Sequence, residues 1–202
     1  MKLYFSPGAC SLSPHIALHE AGITAQYEQV STKTKEMASG GDFRSINPKG
    51  AVPALELDDG EILTEGAAIV QYIADRKPDT HLAPPAGSMA RYRLQEWLNY
   101  VASEVHKTFA PMFNPKATDE TRQNQRDLLR PKFDFLSKAL DGKAYLMGDQ
   151  FTVADGYLFT ILNWTVPTGI DLGQWPTLKD YYQRVASRPA VQAAMKEEGL
   201  IK

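Results

Sequence analysis

Hydrophobic and polar positions in the first 80 residues form short strand-like runs separated by helical patterns. Residues 2–5 are a β-prone run that ends at a Pro-Gly pair. A helix is predicted to follow, with Ser11 or Ser13 as its amino-terminal cap and Gly22 just past its end. Cys10 is therefore expected immediately before the amino terminus of a helix.

Three more strands are predicted in this part of the chain, at residues 26–30, 52–57 and 62–64. The last two are separated by Asp-Asp-Gly-Glu at 58–61, which is a hairpin signal. From residue 65 the apolar spacing becomes helical and ends near residue 77. The predicted order is βαβ, a poorly defined link, and then ββα.

Strand patterns disappear after residues 81–87, a stretch rich in proline. Such a segment is typical of a linker, so we predict an α/β domain at 1–80 and an all-helical domain at 88–202. The predicted fold class is thus α/β plus all-α.

Helical periodicity dominates the carboxy-terminal part. Apolar side chains recur at three- and four-residue steps from 94 to 105, which predicts an amphipathic helix with Asn99 and His106 on its polar face. Thr152 and Asp155 have the spacing of a capping box, and we interpret both as structural. Start and stop signals predict further helices at about 121–140, 153–166, 175–187 and 189–197.

The charge balance gives no general attraction for phosphate backbones or anionic membranes. The chain has 22 basic and 24 acidic residues, with a formal net charge of -2. No apolar run approaches membrane-spanning length, and the amino terminus reaches a Pro-Gly pair before a signal core could form. We therefore expect a cytoplasmic protein that has neither nucleic acid nor membrane as a partner.

Cys10 is the only cysteine, so the chain cannot form an internal disulfide or a cysteine-rich zinc site. The four histidines show no metal-ligand spacing with carboxylates or Cys10, and no metal is expected. A thiol beside a helix amino terminus is favoured as thiolate and could form a mixed disulfide with a low-molecular-weight thiol. The alternative is a small apolar residue that fills space under the sheet.

Three other places could carry chemistry. A cis peptide at Val52-Pro53 would leave the Val52 amide and carbonyl free for an extended ligand backbone. The amides near Glu65-Gly66 could hold a carboxylate while Glu65 meets an ammonium group. His106 could transfer a proton or orient a thiol. The ordinary alternatives are an edge proline, a simple helix start and a solvated histidine.

Six segments of the chain occur in an order typical of one known family: residues 6–11, 47–53 and 63–69, Asn99, His106-Lys107 and residues 148–155. Together they resemble the motifs of the glutathione S-transferases, specifically the bacterial beta class. The resemblance covers essentially the whole chain and implies a thioredoxin-like amino-terminal domain, an all-helical carboxy-terminal domain and a homodimer.

The resemblance implies glutathione as co-substrate and assigns roles to residues of the first domain. Cys10 would face the glutathione sulfur, and cis-Pro53 would let the Val52 backbone pair with the cysteinyl unit. Glu65 and Gly66 would bind the γ-glutamyl end.

Four further positions complete this comparison. Lys35, His106 and Lys107 would contact the glycyl end or the thiol region, and Asn99 would reach the ligand of the neighbouring subunit. The chain departs from many relatives at Phe5, where they carry tyrosine. A tyrosine hydroxyl therefore cannot stabilise a thiolate from that position.

Three functions compete at this point. In the first, the glutathione thiolate attacks a small apolar electrophile, with Cys10, Ser11 and His106 as catalytic candidates. In the second, Cys10 itself attacks, in disulfide exchange, peroxide reduction or reductive dehalogenation. The third is a non-enzymatic carrier of apolar ligands. The electrophile pocket is expected between the domains, with candidate walls at Phe5, Ala9, Phe109, Phe113, Trp164 and Pro167.

Overall fold

The computed structural model describes residues 1–202 and divides them into two compact units. Unit 1 consists of Met1–Ala83 and Ser187–Lys202, and unit 2 consists of Pro84–Ala186. This division differs from the predicted helical domain at 88–202, because the last helix of the chain packs against the first helix. None of the helices combines the length and the apolar composition that a bilayer crossing requires.

Unit 1 has a four-stranded sheet in the order β2-β1-β3-β4. Strand β1 pairs in parallel with β2 and antiparallel with β3, and β4 pairs antiparallel with β3. This thioredoxin-like arrangement confirms the predicted fold class and the βαβ-ββα order. The elements of the unit are β1 (Lys2–Phe5), α1 (Leu12–Glu20), β2 (Gln26–Gln29), β3 (Ala54–Glu56), β4 (Ile62–Thr64), α2 (Gly66–Arg76) and α9 (Pro189–Glu197).

Strand β1 lies in the interior of the sheet, which fixes the loop that follows it. Leu3 of β1 faces Tyr27 of β2 on one side and Leu55 of β3 on the other. Leu3 and Leu55 are fully buried. The predicted hairpin joins β3 to β4, and Gly60 adopts a φ of 86° that its turn requires.

The predicted side-chain cap of α1 is wrong. Ser11 occupies the N-cap position, but its hydroxyl makes no capping bond. Its Oγ instead accepts a hydrogen bond from the Ser6 amide at 3.0 Å and donates to the Ser6 carbonyl at 3.2 Å. Ser13 lies inside the helix. Ser11 therefore closes the β1–α1 loop on itself, because that loop has polar backbone groups that need partners.

Unit 2 is entirely helical, as predicted. Helix α6 is buried along its whole length and packs against α3 and α8. Its predicted capping box is confirmed, since Asp155 Oδ2 accepts the Thr152 amide at 2.8 Å. The elements are α3 (Met89–Tyr100), a π-helical turn (Val101–His106), α4 (Lys107–Phe109), α5 (Asp119–Ala139), α6 (Val153–Leu162), α7 (Thr165–Thr168) and α8 (Pro176–Ala186).

One predicted helix of unit 2 is divided in the structure. The pattern at 153–166 corresponds to α6 and α7, which are separated at Asn163 and Trp164. The Trp164 amide donates to Ile161, three residues back, and so tightens the chain into a turn. Short 3₁₀ turns complete the two units at Phe43–Ser45, Pro78–Thr80, Ala110–Phe113 and Leu172–Gln174.

Candidate active site

Cys10 lies in the loop between β1 and α1, where its side chain is partly exposed. Its Sγ donates a hydrogen bond to the Val52 carbonyl at 3.3 Å. The thiol is two residues before Leu12, where the positive end of the α1 dipole stabilises negative charge. Ser11, by contrast, is fully buried with its hydroxyl bonded to Ser6. This geometry favours a structural role for Ser11 over direct contact with a ligand.

The turn that precedes β3 presents backbone groups to the thiol. The Val52-Pro53 peptide is cis, in agreement with the expectation from the motif. The buried Asn47 organises the turn, since its Nδ2 donates to the Ala51 carbonyl at 2.7 Å. The Val52 amide has no partner in the chain, whereas the Val52 carbonyl accepts from Cys10. The Val52 amide is therefore free for a ligand, as expected, but the Val52 carbonyl is not.

Lys35 is brought to the same turn by an unusual backbone. Its φ of 66° lies in the left-handed region, which is rare for lysine and often found at functional sites. The amide of Lys35 donates to Ser31 and its carbonyl accepts from Phe43, so this conformation is held at both sides. Its Cδ and Cε lie close to Gly50, since a Cβ added there would be 3.8 Å from each of them. The Lys35 ammonium is therefore carried toward the 47–53 turn.

Glu65 and the start of α2 lie beside Pro53. Glu65 has a φ of 70°, also in the left-handed region, and directly precedes the helix. The amides of Gly66 and Ala67 have no intrahelical partner, because they belong to the first turn. A Cβ added at Gly66 would lie 3.7 Å from the Pro53 ring, so the amide donors are adjacent to the cis peptide.

Lys49 contacts the candidate residue Glu65, although the sequence did not predict this contact. Its Nζ donates to Glu65 Oε1 and, at 3.0 Å, to Thr64 Oγ1. The Glu65 carboxylate therefore already holds an ammonium group in this structure. The available signal was the lysine inside the 47–53 motif, but nothing local in the sequence indicates that it reaches residue 65.

His106 stands at the end of the π-helical turn of unit 2. Its Nδ1 lies 2.8 Å from the Tyr157 hydroxyl, and its ring meets the Trp164 ring edge-on at 4.8 Å. Burial, followed by the positive charge of Lys107, lowers the pKa of His106 to about 4. The imidazole is therefore neutral near pH 7 and acts through hydrogen bonds rather than as a cation.

The other candidates of unit 2 fall into two groups. Asn99 and Lys107 are exposed, and the Asn99 carbonyl accepts the Ser103 hydroxyl at 2.9 Å. Of the proposed pocket walls, Phe113 is half-exposed and meets the Trp164 ring at 5.1 Å. Phe109 is fully buried in the core of the unit, so it does not present a surface to a ligand.

Comparisons with known proteins identify the family of this chain. The family model of the glutathione S-transferase N-terminal domain matches residues 8–76, and that of the C-terminal domain matches residues 100–189. Glutathione S-transferase GstA of Escherichia coli O157:H7 is 44% identical over 200 residues, covering 99% of this chain and 100% of that protein. The chain belongs to the glutathione S-transferase family.

Two solved structures of bacterial members are similar over nearly the whole chain. BphK, described as a bacterial glutathione S-transferase in a ternary complex, is 52% identical, with a TM-score of 0.97, and 98% of this chain and 100% of that chain are covered. The beta-class enzyme of Sphingomonas chungbukensis is 47% identical, with a TM-score of 0.97 and full coverage of both chains. The predicted family, its beta-class resemblance and the fold class are confirmed.

Proposed function

We propose that the protein transfers glutathione to small apolar electrophiles and binds the tripeptide on the surface around the cis peptide of unit 1. The observation that carries this proposal is the row of groups along Val52, Pro53 and Gly66. The free Val52 amide and the first-turn amides of α2 flank the proline ring, Glu65 directly precedes those α2 amides, and the Cys10 thiol touches Val52.

These groups match the chemistry of glutathione one by one. The Val52 amide pairs with the backbone of the cysteinyl unit, in the manner of an added strand. The carboxylate of the γ-glutamyl unit accepts hydrogen bonds from the amides of Gly66 and Ala67. The ammonium group of the same unit pairs with the Glu65 carboxylate. Lys35 supplies a cation for the glycyl carboxylate.

In the transfer step, the glutathione thiol loses its proton to solvent, and the thiolate attacks the electrophilic carbon. A sulfur–carbon bond forms and the bond to the leaving group breaks. The amino terminus of α1 stabilises the anion, and Cys10 stays protonated because two adjacent thiolates repel each other. We propose that neutral His106 contributes a hydrogen bond, and that Lys107 and Asn99 contact the ligand from unit 2, Asn99 that of a partner subunit.

The test is conjugation of glutathione to a chloronitroaromatic acceptor, measured beside glutathione binding by calorimetry. We expect the wild-type protein to bind glutathione and to form the conjugate. Cys10→Ala should retain glutathione binding within a few-fold, because the backbone and Glu65 contacts remain. Absence of both binding and conjugation in the wild type would instead support a carrier of other ligands.

A second activity is favoured by the position of Cys10, whose partly exposed Sγ touches the Val52 carbonyl. The Cys10 thiolate attacks the glutathionyl sulfur of a mixed disulfide, and the partner thiolate leaves. A second glutathione thiolate then attacks Cys10-bound glutathione, which releases oxidised glutathione and restores the Cys10 thiolate. Mass spectrometry after treatment with oxidised glutathione should detect glutathione on wild-type protein. Cys10→Ala should carry none and should lose disulfide reduction.

We also propose a homodimer with an interface on unit 2. Met89 and Tyr92, three residues apart on α3, are both largely exposed, as is half of Phe135 on α5. Exposed apolar side chains on neighbouring turns are typical of an interaction surface. Sedimentation should give twice the chain mass, and Tyr92→Glu should shift the protein toward the monomer.

A cytoplasmic location stays a prediction.

A further inference from the structure

Two histidines of α1 and a glutamate from the end of α9 meet on unit 1. His15 and His19 are four residues apart, so both rings project from one face of the helix and stack at 5.3 Å. Glu197 is the last residue of α9. Its Oε2 lies 2.8 Å from His15 Nε2 and 3.1 Å from His19 Nε2. The glutathione site described above uses none of these three side chains.

The three donor atoms all lie within 4.8 Å of one another. Zinc bonds to histidine nitrogen and carboxylate oxygen are about 2.0–2.2 Å, which separates tetrahedral ligands by about 3.3 Å. Two of the three separations here are slightly shorter than that. The third separation, between the two histidine nitrogens, is at most 4.8 Å. A small outward movement of the Glu197 side chain and a closer approach of the partly exposed His19 ring therefore admit an ion at the centre.

A second carboxylate orients the buried histidine. Glu198 Oε1 bonds to His15 Nδ1 at 3.0 Å, which directs Nε2 toward Glu197 and His19. A carboxylate on the far nitrogen of a ligating histidine is the usual support in metal sites. Glu198 is itself fixed, because its side chain is fully buried and its Oε2 accepts the Gly8 amide at 2.8 Å.

The three side chains of the cluster differ in how much of their surface is exposed to solvent. The side chain of His15 is 1% exposed, that of His19 is 24% exposed and that of Glu197 is 48% exposed. One ligand is thus rigid and held by the core, while the outer two face solvent. An ion can enter from that side and keep water in its remaining coordination positions.

We propose that His15, His19 and Glu197 bind a divalent transition-metal ion, with Glu198 as the group that orients His15. Two imidazoles and one carboxylate are a donor set suited to zinc and its neighbours rather than to calcium or magnesium. No metal was expected from the sequence, because the four histidines show no metal-ligand spacing with carboxylates or Cys10. Glu197 is far from His15 and His19 along the chain. Only the packing of α9 on α1 brings the three together.

The test is titration of the full, tag-free chain with Zn²⁺ by calorimetry, in wild-type protein and three variants. His19→Gln and Glu197→Gln each remove one partly exposed ligand and so leave the core intact. The matched control is His81→Gln, the same substitution at an exposed histidine outside the cluster. We expect one ion per wild-type chain, at least about tenfold weaker binding in the two ligand variants, and unchanged binding in the control.

Because zinc also binds thiolate, the titration is repeated with Cys10→Ala. Retained one-to-one binding in that variant supports the histidine site, whereas its loss places the ion on the thiol and overturns the proposal. The proposal also fails if the wild type binds no ion stoichiometrically, or if His19→Gln binds as tightly as wild type. In that event, the three residues serve only as an ion-paired contact between two helices.

Discussion

The two units position their candidate site groups by different means. In unit 1 the backbone is decisive: the Val52-Pro53 peptide is cis, and Lys35 and Glu65 adopt left-handed φ values of 66° and 70°. In unit 2, Asn99, His106 and Lys107 lie on α-helical or π-helical turns, and His106 owes its low pKa first to burial against Tyr157 and Trp164. Unit 1 thus presents amides and ion pairs, and unit 2 presents a desolvated side chain.

This difference predicts which substitutions lower the stability of the protein and which lower its affinity for a ligand. An exposed ion pair such as Lys49–Glu65 contributes little to stability, because water screens it and both side chains lose freedom. A buried acceptor such as Asp155 contributes much more, because its removal leaves donors without partners. Removing buried polar groups should therefore lower the free energy of unfolding, whereas changing exposed ones should alter ligand affinity.

The largest effect is expected for Asp155→Ala in unit 2. The buried carboxylate accepts the amides of Leu146 and Thr152 and the hydroxyl of Tyr181, at distances of 2.8, 2.8 and 3.0 Å. The variant leaves both amides unpaired and leaves the Tyr181 hydroxyl only the backbone carbonyl of residue 155, at 3.3 Å. We expect a loss of about 4 kcal/mol in the free energy of unfolding. Urea denaturation measures it. Asp149→Ala, at an exposed position nearby, is the control and should change stability by less than about 0.5 kcal/mol.

The corresponding change in unit 1 is Glu198→Ala, compared with Glu197→Ala. Both glutamates contact His15, but only Glu198 is buried and also holds Gly8. We expect a loss of about 3 kcal/mol for Glu198→Ala and less than about 1 kcal/mol for Glu197→Ala. Denaturation in the presence of a chelator measures both without a contribution from bound metal. Equal losses would show that burial does not distinguish the two contacts.

The sequence predicted most of the fold because its signals are local. The hairpin glycine at 60, the proline at 53 and the box formed by Thr152 and Asp155 each act within a few residues, and the structure has all three features as expected. The division of the helix at 153–166 was missed, because the turn at Asn163 carries no glycine or proline.

The parts of the site that were missed depend on contacts between distant residues. Lys49 reaches Glu65 across two strands, and Glu197 reaches His15 through the packing of α9 on α1. No periodicity or spacing encodes such a meeting, because it depends on how whole elements pack. Ser11 shows within one loop that a residue type does not fix its partner. Its hydroxyl bonds to the Ser6 backbone and not to the amides of α1.

His106 should make the free energy of unfolding depend on pH, with an effect smaller than those of Asp155→Ala and Glu198→Ala. Its folded pKa of about 4 lies below the ordinary value near 6.5, so the unfolded chain binds more protons between these two pH values. Stability therefore falls as the pH decreases, by about 2 kcal/mol between pH 7 and pH 5. His106→Gln lacks this contribution and should lose about 2 kcal/mol less than wild type over that range. Denaturation at both pH values checks this, and exposed His81→Gln should behave as wild type.

The smallest effect on stability is expected for Glu65→Gln, which should instead weaken glutathione binding. Its ion pair with Lys49 is exposed, so the free energy of unfolding should change by less than about 1 kcal/mol. The proposed bond from the glutathione ammonium is charge-assisted, and its weakening by about 1.4 kcal/mol raises the dissociation constant about tenfold. Calorimetry with glutathione measures this, and Glu61→Gln, at an exposed glutamate just before β4, should bind as wild type. Unchanged affinity in Glu65→Gln would mean that the γ-glutamyl end is held by the α2 amides alone.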